Sequence, residues 1–102
     1  MKVKVPKEIK IGTYKGFVKF REHIKVDDGY RGAYNQRTGE LYIDPILLML
    51  RDRTLLHEVV HMISFNYECS WNEDDISRMA NGLAEFLVQL GIEFDWSEIE
   101  GE

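Results

Sequence analysis

Residues 54–65 read TLLHEVVHMISF, and two of the chain's three histidines, His57 and His61, stand four apart there around Glu58. The neighbours are so apolar that a helix here is drawn into the interior and carries the three polar groups with it. Burying imidazole and carboxylate costs free energy unless they gain partners, so this segment constrains both fold and chemistry. At ~100° per residue, His57 and His61 fall about 40° apart on a helix. Thr54 and Glu58 sit beside them, and Leu55, Leu56, Val59, Val60, Met62 and Ile63 fill the opposite arc. Two imidazoles one turn apart can both reach a single Zn²⁺ at about 2.0–2.1 Å, which is why zinc chemistry uses this spacing. Glu58 is turned away from direct ligation, where it can take a proton from a water whose pKa the metal lowers to about 7. Histidines that merely hydrogen-bond in a core are the bland alternative. They explain less, because a helix apolar on its far side and preceded by a β-hairpin is the context the motif requires.

The rest of the chain narrows the setting. Its 102 residues suffice for one core, so 1–102 reads as a single domain. The longest central apolar run, ILLML at 46–50, is too short to span a bilayer, and MKVKVPKEIK lacks the apolar stretch of a signal peptide. Cys69 is the only cysteine, which excludes an intrachain disulfide. These features point to a cytoplasmic protein with no membrane association. A net charge of −5 argues against a nucleic-acid partner. The basic residues between Lys2 and Lys25 mostly alternate with apolar ones, as on the solvent face of a sheet.

Glu8 to Glu22 shows an imperfect period of two, with Gly12 and Gly16 bracketing an expected turn between two strands. Two more β-rich runs, Tyr30–Tyr34 and Glu40–Ile43, are joined by NQRTG, which has the length and the glycine of a hairpin loop. Asp44-Pro45 offers a helix start and Asp52 a second one, giving a motif helix from about Asp52 to Phe65, continuous with Ile46–Leu50 in one version. Ile76, Met79, Ala80, Leu83, Ala84, Phe86, Leu87 and Leu90 repeat at helical spacing up to Gly91. FDWSEIEGE, within about 92–102, reads as a solvated acidic tail. The fold class is therefore α+β: a small antiparallel β-sheet of three to four strands packed on the motif helix and a second, C-terminal helix.

A catalytic zinc takes three protein ligands and leaves one position open. His23 lies in the strand region and reads as a surface residue, and Cys69 as a small half-exposed one. The acidic cluster WNEDD (71–75) is the better source of a third ligand. By helical phase Glu73 shares the apolar stripe of Ile76, Ala80, Leu83 and Leu87, Asp74 lies on the polar side, and Asp75 is intermediate. Phase favours Glu73, against the rival reading of Ser70-x-x-Glu73 as a capping box.

The hairpin GAYNQRTGELYID, the motif TLLHEVVH and the helix start EDDISRMANGL together resemble the small zinc metallopeptidase-like proteins of phages and mobile elements, the ImmA/IrrE-like group. The likeness spans roughly positions 30–90. It implies a zincin-like fold with one Zn²⁺ per chain held by His57, His61 and Glu73, and Glu58 as the catalytic base. It also implies hydrolysis of a peptide bond in an intracellular protein or peptide; some members cleave a repressor or regulator. A non-catalytic, zinc-stabilised regulatory or binding module is the alternative, and a metal-free structural protein a third reading. In the folds it resembles the strand bordering the cleft is a sheet edge, so Glu40–Ile43 is expected to be open to an added peptide strand. Tyr34, Tyr42 and Tyr67 are unranked candidates for stabilising an oxyanion.

Overall fold

Period-two patterning produces strands where the sequence alternates, and the computed structural model places them for residues 1–22, 32–45 and 50–100, the described part of the chain. In order they are β1 (Lys2–Lys4), β2 (Glu8–Ile11), β3 (Tyr14–Phe20), β4 (Gly32–Asn35), β5 (Glu40–Ile43), α1 (Arg51–Asn66), α2 (Glu73–Gln89), β6 (Glu93–Asp95) and α3 (Ser97–Glu100). His23, the expected strand start at Tyr30, and residues 46–49 lie outside the described residues. Among the described residues, no helix is long and apolar enough to cross a membrane.

The fold is α+β, as expected, but its sheets are not purely antiparallel. One has four strands in the order β2-β3-β5-β4, and the other pairs β1 with β6. β2–β3 and β4–β5 are antiparallel, whereas β3–β5 and β1–β6 are parallel. The first turn is Gly12-Thr13, with Gly12 at φ 65°; Gly16 lies inside β3 opposite Ile9 rather than at the turn's far side.

Glu40–Ile43 is not an edge, which corrects the expectation drawn from its position before the motif helix. It pairs with β3 on one side and β4 on the other. The physical reason is burial: Leu41 and Ile43 are both fully buried, and a strand carrying two such residues belongs in the middle of the sheet. β4, with Gly32 and Ala33, is the thin outer strand.

Helix α1 is buried on two faces. Leu55 joins Val5, Val18, Ile43, Trp96 and Ile99 in one cluster, with Val59 packed against it. Val60 joins Ile76 and Ala80 of α2 in a second, with Leu56 beside them. The helix starts one residue before Asp52, and Leu50 at its cap makes no side-chain capping bond. Asp52 instead accepts a hydrogen bond from Trp96 Nε1 at 2.9 Å. Arg51, nearly buried, donates to the Pro45 carbonyl at 2.7 Å and pairs with Glu100 at 2.7 Å.

Those partners overturn the reading of about 92–102 as a solvated tail. Through residue 100 the segment forms β6 and α3, and Trp96 and Ile99 are buried in the first cluster. Acidic residues dominate its composition, but Phe94, Trp96 and Ile99 bring enough apolar surface to be worth burying.

Candidate metal centre and groove

The third face of α1 carries the motif. His57 and His61 project side by side, their ring centroids 4.9 Å apart. Facing them is Glu73, the first residue of α2, whose Oε1 lies 2.6 Å from His57 Nε2 and whose Oε2 lies 3.0 Å from His61 Nε2. Each of the three offers one ligand atom, and these atoms lie within 4.8 Å of one another. Among the described residues no other such group of His, Cys, Asp and Glu occurs.

The start of α2 shows why Glu73 is available. Asn72, not Ser70, is the N-cap: its side chain accepts from the Asp75 amide at 2.9 Å. Glu73 is thus freed from the capping box to turn toward the histidines, while the helix N-terminus still favours its negative charge. Asp75 pairs with Arg78 at 3.5 Å, and neither it nor Asp74 belongs to the cluster. Cys69 stays half-buried with its Sγ 3.9 Å from the Tyr67 carbonyl, also outside the cluster.

The donor set suits zinc. Two imidazole nitrogens and a carboxylate oxygen are borderline ligands of the kind Zn²⁺ prefers. Burial, aided by His57, lowers the His61 pKa below its ordinary value despite Glu73, favouring the neutral ring that a metal needs. Ligand atoms around a tetrahedral zinc stand about 3.3 Å apart. The two carboxylate–imidazole contacts, 2.6 and 3.0 Å, are slightly shorter than that, and the three ligand atoms together lie within 4.8 Å of one another.

Glu58 is 5 % exposed. Burial, with the nearby Glu73 carboxylate second, pushes its pKa up to about 8. What presses on it is bare backbone: a Cβ on Gly32 would lie 2.6 Å from Thr54 Cγ2, 3.0 Å from the Tyr42 carbonyl oxygen and 3.1 Å from Glu58 Cγ. Gly32 lets α1 lie directly against β4, with Glu58 in the seam.

A groove of about 850 Å³ runs along this seam, lined by the triad and Glu58 together with Gly32, Ala33 and Tyr34 of β4. Among the three tyrosines weighed from sequence, only Tyr34 lines it; burial, then Tyr14, raises its pKa above the ordinary phenol value. Tyr42 instead interacts with Glu40 and has the Arg21 guanidinium 5.6 Å above its ring, and Tyr67 lies against Gly12. Sequence reasoning missed Tyr14, Phe65, Glu68 and Trp71, which also line the groove. Phe65 had a signal, for 57, 61 and 65 continue one i, i+4 row on the helix. Tyr14 had none, since only the sheet brings β3 to the groove.

Compared with models of known protein families, with curated proteins and with solved structures, the chain matches none. Its functional reading rests on residues and geometry.

Proposed function

We propose that this chain is a zinc-dependent metallopeptidase acting on an extended segment of a peptide or protein. One observation carries the reading: His57, His61 and Glu73 converge on one point of a groove in which a buried carboxylate, Glu58, stands beside them. Zinc in that set supplies an acidified water and a Lewis acid for a carbonyl. His57, His61 and Glu73 hold the ion, and the two histidines keep their mutual orientation because α1 is packed on both flanks. Glu58 accepts the proton of the attacking water and returns it to the leaving amine. The shallow solvent access that lifts its pKa also makes it a strong base once ionised.

The groove's other wall receives the substrate. Among the described residues β4 pairs only with β5, so one edge of it is left open, and its Gly32, Ala33 and Tyr34 line the groove. An extended peptide adds there as a fifth strand, which aligns its backbone without reading its side chains. An intracellular regulatory protein is the substrate that the resemblance of the motif helices implies.

Zinc analysis and a peptide-library digest test the proposal. Wild type should carry about one Zn²⁺ per chain and cleave, while Glu58→Gln keeps the metal and loses cleavage. A wild type that purifies metal-free and ignores added zinc refutes it. Zinc binding with no turnover of any peptide would reassign the chain as a metal-stabilised binding module.

A further inference from the structure

Resting on that reading, we propose that the groove contains a subsite for a positively charged side chain of the bound peptide, formed by Tyr14, Tyr34 and Phe65 with the carboxylate of Glu68.

The three rings come from three elements and line the same groove. Phe65 follows His61 by one helical turn, about 6 Å along the axis. Its ring meets that of Tyr34 edge-on, with centroids 6.4 Å apart and an interplanar angle of 63°. Tyr14, at the start of β3, lines the same groove. Tyr14 and Phe65 remain 54 % and 45 % exposed, so large aromatic surfaces stand open to whatever enters. Their faces present the negative part of the ring quadrupole, which attracts cations.

Charge decides the occupant. Glu58, Glu68 and Glu73 line the groove, and among the described residues no lysine or arginine does. A dication in the triad offsets Glu73 and Glu58. Glu68 is left over: among the described residues its carboxylate has no ion-pair partner and no place in the metal chemistry. Glu68 sits beside Phe65, its amide donating to the Phe65 carbonyl at 3.3 Å, so a neutral apolar side chain would cover the rings and leave the carboxylate without a partner. A guanidinium or ammonium stacks on the rings and meets the carboxylate, with arginine the better fit because its planar group does both at once. The protein's overall charge of −5 draws such peptides in.

Position follows from the strand. Gly32 abuts Glu58, and Tyr34 lies two residues further along β4, about 7 Å at the strand rise. The charged side chain therefore belongs about two residues from the reacting carbonyl.

The test reads binding rather than turnover. Zinc-loaded Glu58→Gln protein is titrated by fluorescence anisotropy with labelled peptides identical except for arginine, norleucine or glutamate scanned through each position. The expected result is an arginine preference of tenfold or more over norleucine at one position, with glutamate weakest. A second substitution, Glu68→Gln, should reduce that preference to within twofold, and Tyr34→Leu should weaken the arginine peptide more than the norleucine one. Glu68 has a left-handed backbone (φ 54°), so Glu68→Asn, which tolerates it, repeats the test if the glutamine variant misfolds. Equal binding of arginine and norleucine peptides, a preference unmoved by loss of the Glu68 charge, or no binding at all overturns the subsite. Wild type incubated with the same peptides separates the two ideas. Selective binding without cleavage keeps the subsite and sinks the peptidase, and cleavage without arginine preference does the reverse.

Discussion

Glu58→Gln should stabilise the metal-free protein, and by an amount that grows with pH. The Glu58 pKa is raised from 4.5 to about 8 by burial and Glu73. A carboxyl whose folded pKa is raised contributes its stability fully below the unfolded value and loses it as pH rises through the folded one. Glu58 therefore suits the fold below pH 4.5 and opposes it increasingly up to about pH 8. At pH 7 the unfolded chain holds Glu58 ionised, so folding must take up a proton or bury a charge; at ~1.36 kcal/mol per pH unit the ceiling is about 3 kcal/mol. Water entering the groove reduces this to about 1–3 kcal/mol. Glutamine fills the same space without titrating. At roughly 4–8 °C per kcal/mol for a domain of this size, the variant should melt about 4–24 °C above wild type at pH 7. The two should converge near pH 4.5, the unfolded pKa. Thermal unfolding by circular dichroism in EDTA, from acid to mildly alkaline pH, measures the gap, and zinc should narrow it by favouring the ionised carboxylate. A gap that does not change with pH, or a wild type more stable than the variant in alkali, refutes the reasoning.

Glu73→Ala should weaken zinc binding by more than roughly 100-fold, the upper end for losing a group that merely supports a ligand, while Asp74→Ala leaves it within about threefold. Competition titration with a chromogenic chelator decides between them. Gly32→Ala should cost about 2 kcal/mol or more in urea unfolding, because the new methyl meets Thr54, the Tyr42 carbonyl and Glu58 together. Ile99→Ala should cost about 2–4 kcal/mol, as for other buried aliphatic truncations, whereas a solvated tail would lose nothing.

How much of this was legible depends on whether the controlling interaction is local. The i, i+4 histidines follow from helix geometry alone, and Glu73 from the phase of the next helix, so HEVVH and its acidic partner could be read before any fold was known. The capping pattern at Ser70 was misleading because Asn72, two residues on, offers an equally good cap and leaves Glu73 free. Sheet order was not legible. β3 pairs in parallel with β5 rather than with β4, the next strand in the chain, and no local pattern records that choice. The segment after Gly91 was misjudged by its charge, although Phe94 and Trp96 already showed the alternation of a strand. Gly32 read in sequence only as one position of the β-rich run Tyr30–Tyr34, but it acts through what it lacks.

The pairing of β1 with β6 also sets an order of events. Lys2 aligns with Glu93 and Lys4 with Asp95, so the chain closes on itself across almost its whole length. Loop closure of that span is slow, because its entropy must be spent before the contacts return anything. The cluster beneath Leu55 needs Val5 from one side of this closure and Trp96 and Ile99 from the other. The face of α1 bearing the histidines therefore has its full support only after the last strand has docked. On a ribosome, metal capture should be a late event that follows release of residues 93–100. A protease cut between α2 and β6 would loosen the zinc site from a distance, without touching a ligand.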